Sequence, residues 1–243
     1  MLELSLPRPG ERVLELACGP GGPGLTAATL VAPDGEVVLS DVTVEMTSIA
    51  SARADAIGLA NVTTRVIDLE QIEEPDGSYD VVLCREGLML VPDPAGAVRE
   101  IRRVLRPGGR VALTVWGPRA RNPWLGVVFD AVSIQLGAPM PPPGIPGPFS
   151  LDDADRLAGL LSDAGLANVD VRELPTPYHA ASVEEWWTRT CALAGPLAQR
   201  LAALPDEAAQ KIRARAGEAI AAYNTPTGLE IPGVSLIASA SRI

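Results

Sequence analysis

Glu15 stands four residues ahead of the first glycine in Val13-Leu14-Glu15-Leu16-Ala17-Cys18-Gly19-Pro20-Gly21-Gly22-Pro23-Gly24. An apolar run ending in a carboxylate and a glycine-rich loop describes a strand–turn–helix unit. Such a unit brings backbone N–H groups and a helix N-terminus to a ligand. Taken literally, Gly19 to Gly24 fits G-x-G-x-x-G, the dinucleotide fingerprint. Two features argue against a pyrophosphate. Pro20 and Pro23 have no N–H to donate, and Glu15 repels a phosphate while attracting a cation. Asp41, about 20 residues beyond the loop, ends a second apolar run, where a carboxylate suits the two hydroxyls of a ribose. Proteins that bind NAD place an acid similarly, and Asp41 has a plainer use as a helix cap. His179 is the only histidine. A free imidazole titrates near pH ~6.5, so His179 is the first candidate for a general base, ahead of Tyr178 and Tyr223. A lone histidine at a strand end also serves as ordinary packing.

These residues need a scaffold, and the hydrophobic pattern predicts one. Short apolar runs predict strands at 12–17, 36–40, 61–67, 79–84, 111–116, 168–174 and 231–240. Helical spacing predicts helices to about Val31, over 44–58, 95–105 and 121–137, and from Asp153 to about Ala164. Ser182-Val183-Glu184-Glu185 is a capping box that opens a helix running toward Leu204, and Pro205-Asp206 opens another to about Tyr223. Leu105-Arg106-Pro107-Gly108-Gly109 reads as a sharp turn. Residues 139–148 hold six prolines and read as irregular. Alternating strands and helices predict an α/β fold with a mostly parallel sheet. In such a sheet the ligand crevice lies at the carboxyl ends of the strands, which points to Cys84, Arg85 and Leu88 as lining residues.

Glu15-Leu16-Ala17-Cys18-Gly19-Pro20-Gly21-Gly22 resembles the first motif of the class I S-adenosylmethionine (SAM)-dependent methyltransferases. Tyr79-Asp80 opening strand 4 and the L-x-P-G-G turn are similar to theirs as well. The resemblance covers roughly residues 10–117 and is nearest to the ubiquinone/menaquinone-type methyltransferases and small-molecule tailoring enzymes. It implies a Rossmann-like seven-stranded fold with the last strand antiparallel and a helical lid insertion. The implied division is a SAM-binding core at 1–117, a lid insertion at 118–149, a core helix and strand at 150–175, a helical lid at 176–225 and the final strand at 226–243. It implies SAM as cofactor, with S-adenosylhomocysteine (SAH) as product. The cofactor residues it implies are Glu15, Ala17, Gly19, Gly21, Gly24, Asp41, Val42, Met46, Asp68, Leu69, Cys84 and Arg85. Asp68 and Leu69 fall where the family meets the adenine amino group and ring. Members usually carry a longer N-terminal helical region, whereas here strand 1 begins near Arg12.

Composition narrows the partners. A net charge of −10 speaks against nucleic acid or an anionic membrane as the main partner and favours a small-molecule substrate. Cys18, Cys84 and Cys191 lack metal-ligand or disulfide spacing, and no metal site is expected. No signal peptide or long apolar run is seen, so a cytoplasmic monomer or homodimer is expected. With two Phe and three Tyr among 243 residues, Trp124, Phe129, Trp186 and Trp187 stand out as lid packing or a substrate wall. The expected function is methyl transfer from SAM to O, N or C of a small acceptor. The alternatives are a cyclisation or rearrangement with SAM bound but not consumed, a non-catalytic SAM-binding partner, and an NAD-dependent oxidoreductase.

Overall fold

The computed structural model describes residues 1–142, 144–193 and 195–243. Pro143, inside the proline-rich stretch, and Ala194, inside the helix expected to run toward Leu204, lie outside the described residues. The elements in order are α1 (Leu2–Ser5), β1 (Arg12–Leu16), α2 (Pro23–Val31), β2 (Glu36–Asp41), α3 (Val44–Ala56), β3 (Val62–Val66), β4 (Tyr79–Arg85), α4 (Pro94–Val104) and β5 (Leu105–Trp116). They continue with α5 (Pro123–Leu136), α6 (Ala154–Asp163), β6 (Ala167–Pro175), β7 (Tyr178–Ala180), α7 (Val183–Leu193), α8 (Gly195–Ala202), α9 (Asp206–Ile220), β8 (Asn224–Thr225), β9 (Gly228–Ile231) and β10 (Val234–Ser241).

Seven strands form one sheet in the order β3-β2-β1-β4-β5-β10-β6. β1 pairs in parallel with β2 and β4, β2 with β3, and β4 with β5, and the last strand runs antiparallel. The order reverses between β1 and β4, which is where open α/β sheets place a crevice. Successive strand side chains face opposite sides. Val13, Val37, Leu39, Val81, Leu83 and Ala112 therefore share a face with Leu25, Ala28 and Val31 of α2 and Ala50 and Ala54 of α3, in one apolar core. Glu15 falls on that same face by alternation, a carboxylate inside an aliphatic layer.

The chain divides into two compact regions. The first is Met1–Val115, Pro146–Glu173 and Leu236–Ile243; the second is Trp116–Ile145 and Leu174–Ser235. The second region holds a small antiparallel sheet, β7-β9-β8, and helices α5, α7, α8 and α9, with α5 packed on α9 and α7. Its core is aromatic. Trp124 stacks on Tyr178 with centroids 5.5 Å apart and meets Trp116 at 4.9 Å, and the Trp186 indole N–H donates to the Trp124 carbonyl at 2.8 Å. Among the described residues, no helix is long and apolar enough to cross a membrane.

Several boundaries depart from the sequence pattern. The Leu105–Gly109 turn is a bulged opening of β5: pairing with β4 slips between Tyr79 and Val81, and Gly108 takes φ +80°. The run expected as one strand over 231–240 is two, because Pro232 cannot donate to a ladder and the chain bends at Gly233. A Cβ there would lie 2.2 Å from the Thr176 carbonyl oxygen. α1 and the β7-β9-β8 sheet were not anticipated; each is too short to show a period. The capping box at Ser182 forms on its Ser side: Ser182 Oγ accepts from the Glu185 N–H at 3.1 Å, while the Glu185 carboxylate accepts at 2.8 Å from the N–H of Ala181, one residue before the cap.

Candidate functional site

The glycine loop is held by three side chains from three elements. Glu15 on β1 is fully buried, and its Oε2 accepts from the Gly24 N–H at 2.9 Å. That bond caps α2, whose N-cap residue, Gly22, has no side chain to do so. A Cβ on Gly24 would sit 2.3 Å from Leu39 Cδ2 and 2.4 Å from Glu15 Oε2, so only glycine lets the helix approach the carboxylate. Asp41 at the end of β2 accepts from the Gly19 N–H through Oδ2 at 3.0 Å. Its Oδ1 takes the Thr43 N–H at 3.1 Å and the Thr43 hydroxyl at 3.2 Å. Arg53 on α3 donates to the carbonyls of Pro20 at 2.7 Å and Gly21 at 3.0 Å. Sequence reasoning missed Arg53: an arginine in the last turn of a helix carries no mark of what it reaches.

The loop's donors are therefore spent. Gly19 gives its N–H to Asp41, Gly21 to the Cys18 carbonyl and Gly24 to Glu15, and Gly22 also faces Glu15. Pro20 and Pro23 have none. No set of convergent N–H groups is left for a pyrophosphate, which argues against the dinucleotide reading. What the loop offers is carboxylate oxygen rather than N–H. Burial raises the Glu15 carboxyl to about 7, against the opposing pull of the Gly24 N–H and the Arg85 charge. Its Oε1 is buried with no hydrogen-bond partner. An orphaned buried carboxylate oxygen is costly and suits a ligand ammonium. A carboxylate has about four acceptor positions; Asp41 uses three internally, so one remains for a hydroxyl.

The other predicted residues cluster around this loop or sit apart from it. Leu16 pairs with Cys84, at the reversal of the sheet order. Ala17 takes φ +49°, and a Cβ on Gly87 would lie 2.4 Å from the Ala17 Cβ and 3.0 Å from the Cys84 Sγ. Gly87 is thus a second residue that sequence reasoning missed, required by the close approach of the two loops. Burial pushes the Cys84 and Cys18 thiols up to about 12, so both stay protonated and unreactive. Val42 and Met46, beyond Asp41, are 64% and 39% exposed, an apolar surface fit for an aromatic base. Asp68 is exposed, and its Oδ1 accepts from the Glu70 N–H at 2.9 Å; the Leu69 side chain is buried. Arg103 on α4 steadies this segment by donating to the carbonyls of Ile72 at 2.6 Å and Glu74 at 2.7 Å. Arg85 is exposed and lies over Gly22.

His179 belongs to the second region. It is exposed on β7 opposite Glu230 of β9 and borders a cavity of about 330 Å³ with Glu185, Thr227 and Glu230. Tyr178 is committed to the aromatic core. Trp124, Phe129 and Trp186 are buried and act as packing. Trp187 is half-buried and borders a second cavity of about 390 Å³ with Cys191, Leu201 and Arg213. Among the described residues no group of three His, Cys, Asp or Glu is arranged to hold a metal ion.

Comparison with known proteins gives this geometry its context. A family model described as a methyltransferase domain matches residues 7–121. The ubiquinone/menaquinone biosynthesis C-methyltransferase UbiE of Ectopseudomonas mendocina (strain ymp) is 37% identical over 155 residues, covering 63% of this chain and 58% of the relative. The nocamycin O-methyltransferase of Saccharothrix syringae is 34% identical over 184 residues, covering 72% of this chain and 65% of the relative. The chain thus spans less than two thirds of the length of these relatives. Among solved structures, the YcgJ protein of Bacillus subtilis superposes with a TM-score of 0.64 at 22% identity, covering 100% of this chain and 97% of that one, a likeness of fold. Residues 7–121 thus match a methyltransferase domain, in agreement with the motif around Glu15 and the seven-stranded topology, and the chain is similar to the class I SAM-dependent methyltransferases.

Proposed function

We propose that this protein transfers a methyl group from SAM to O, N or C of a small-molecule acceptor, releasing SAH. The observation that carries the reading is the glycine loop itself. Its N–H donors are consumed internally, while a buried carboxylate keeps one oxygen unpartnered. That is a site for a cationic, hydroxyl-bearing nucleoside rather than for a pyrophosphate. Glu15 holds the ammonium end, and Asp41 takes a ribose hydroxyl. Val42, Met46 and the Asp68-Leu69 segment meet the adenine. When bound, SAM supplies a methyl group on a sulfonium, open to in-line displacement.

Positioning is the protein's main task, since fixing two reactants in line supplies roughly 7–11 kcal/mol of barrier reduction. A base is needed only where the acceptor must lose a proton, and His179 fills that role. The names of the relatives support a quinone-like or secondary-metabolite acceptor. In this reading 1–117, 150–175 and 226–243 form the cofactor-binding core, and 118–149 and 176–225 are helical insertions. The protein works in the cytoplasm as a monomer or homodimer. The test is to incubate it with SAM and a panel of phenols, quinols and amines and to measure SAH release. We expect SAH with at least one acceptor, and slower release with unchanged SAM affinity in His179→Ala. Failure to bind either SAM or SAH by calorimetry would refute the reading, and full activity in His179→Ala would remove that residue as the base.

A further inference from the structure

The seven-stranded sheet has two edges, β3 and β6, and the chain treats them differently. An open edge is a row of unpaired N–H and C=O groups, which proteins blunt with charges, proline or irregular backbone. β6 carries Asp170, Arg172 and Glu173 and ends on Pro175. β3 is Val62-Thr63-Thr64-Arg65-Val66, β-branched at every position but one. It has no proline, and its register with β2 runs unbroken from Val62 to Val66. Its single charge, Arg65, is drawn to Glu74. The Val37 N–H donates to the Asn61 carbonyl at 2.9 Å, and the Ile67 N–H donates to the Asp41 carbonyl at 3.0 Å. Backbone groups alternate in direction along a strand, so Thr63 and Arg65 also face β2. Val62, Thr64 and Val66 turn their N–H and C=O groups outward. Among the described residues none of these outward groups has a partner, and the Val66 side chain is 57% exposed.

We infer that β3 is an interface with a second copy of this chain, the two β3 strands pairing antiparallel about a two-fold axis at Thr64. A two-fold contact has to be self-complementary, and this strand is. With Thr64 opposite the partner's Thr64, Val62 falls opposite the partner's Val66 and Thr63 opposite the partner's Arg65. The outward-turned residues then meet only one another. Opposed residues of that kind exchange both N–H···O bonds, so every unpaired group on the edge finds a partner. The exposed Val66 is covered by a valine, and threonine pairs are favourable across strands. Centring the pairing on Arg65 instead would set two guanidiniums face to face, a like-charge pair that a sheet disfavours. Centring it on Thr63 would leave Val66 opposite the partner's Ala60, outside the strand. The inference stands on the sheet edge alone and is independent of the cofactor reading.

The experiment is sedimentation velocity of the full chain over a micromolar concentration series, since an edge of five residues makes a small and therefore weak interface. Wild type should pass from monomer to dimer within the series. Amide hydrogen exchange at Val62, Thr64 and Val66 should slow at the dimeric end, with β6 unaffected. Thr63 is exposed and in this register lies opposite the partner's Arg65, twice per dimer. Thr63→Glu should therefore tighten the dimer severalfold, and Thr63→Arg should weaken it severalfold. Overall charge acts in the other direction: on a chain of net charge −10, an added anion raises the repulsion between copies and an added cation lowers it. Thermal unfolding of each variant verifies that it folds. A wild-type chain that stays monomeric throughout would overturn the inference. So would a dimer whose strength follows overall charge, or one that leaves exchange at Val62, Thr64 and Val66 unchanged, because the copies would then meet through another surface.

Discussion

The glycine loop and the aromatic core of the second region solve opposite problems with polar groups. At the loop one carboxylate, Glu15, is buried in an aliphatic layer, and nearly every backbone donor between Gly19 and Gly24 has a partner inside the protein. What is left over is a single carboxylate oxygen. In the second region Asn122 and Trp186 show buried polar groups that are saturated. Asn122 is fully buried and satisfied: its Nδ2 donates to the carbonyls of Gly117, Pro118 and Val234, and its Oδ1 accepts from the Val234 N–H. Trp186 spends its indole N–H on the Trp124 carbonyl. The contrast teaches where to look for ligand chemistry. A buried group that is saturated is holding the fold, and a buried group left one partner short is waiting for something else.

Trp186→Ala should have the largest effect. The side chain is fully buried and loses both its packing and its hydrogen bond. A large-to-small change of this kind costs about 3–5 kcal/mol. All four tryptophans, at 116, 124, 186 and 187, fall in the second region, so tryptophan emission during urea unfolding reports on that region directly. A loss below about 1 kcal/mol would mean that the aromatic core is not the main support there.

Asp41→Ala comes next and acts on the loop. It removes the hydroxyl acceptor and also frees the Gly19 N–H and Thr43 from their anchor. SAH affinity should fall about 100-fold, equivalent to about 2.7 kcal/mol. The same bonds mean that the loop itself loosens, so Asp41 is both a ligand contact and a brace. Unchanged SAH affinity would remove Asp41 from the site.

A pH titration separates the regions by charge. The Glu15 carboxyl is raised by burial to about 7 in the free protein, and a ligand ammonium requires the ionised form. SAH affinity should therefore be full above that value and fall with acidification through it, approaching tenfold for each pH unit below. Glu15→Gln should bind more weakly and show a flatter profile over the same range. A wild-type affinity constant from pH 8 to pH 5.5 would show that Glu15 does not meet a charged group.

How much of this was legible follows from the same contrast. The mostly parallel strands and the positions of Glu15, Asp41 and Gly24 were readable, because alternating strands, a glycine loop and acids at strand ends are local signals with a physical cause. Arg53, Arg103 and Gly87 were not, because their roles depend on a carbonyl or a Cβ from a distant loop. The second region was legible only as helices. Its small sheet has strands of two to four residues, shorter than any period can show, and two of the hydrogen bonds of Asn122 are with Val234, 112 positions away.

The smallest effect, and the sharpest check on that contrast, is expected at Thr190. Its hydroxyl is fully buried and faces the Tyr178 hydroxyl, yet neither oxygen reaches hydrogen-bond geometry with a partner. If buried groups in the second region serve packing alone, this oxygen contributes nothing. Valine has nearly the same shape, and replacing an unsatisfied buried hydroxyl by a methyl removes a desolvation penalty. Thr190→Val should be neutral or stabilising by up to about 1 kcal/mol in urea unfolding, with SAH affinity unchanged. A destabilisation above about 1 kcal/mol would show that the hydroxyl is bonded in solution. A loss of methyl transfer at unchanged stability would instead place Thr190 and Tyr178 among the groups left one partner short, and the second region would then carry ligand chemistry of its own.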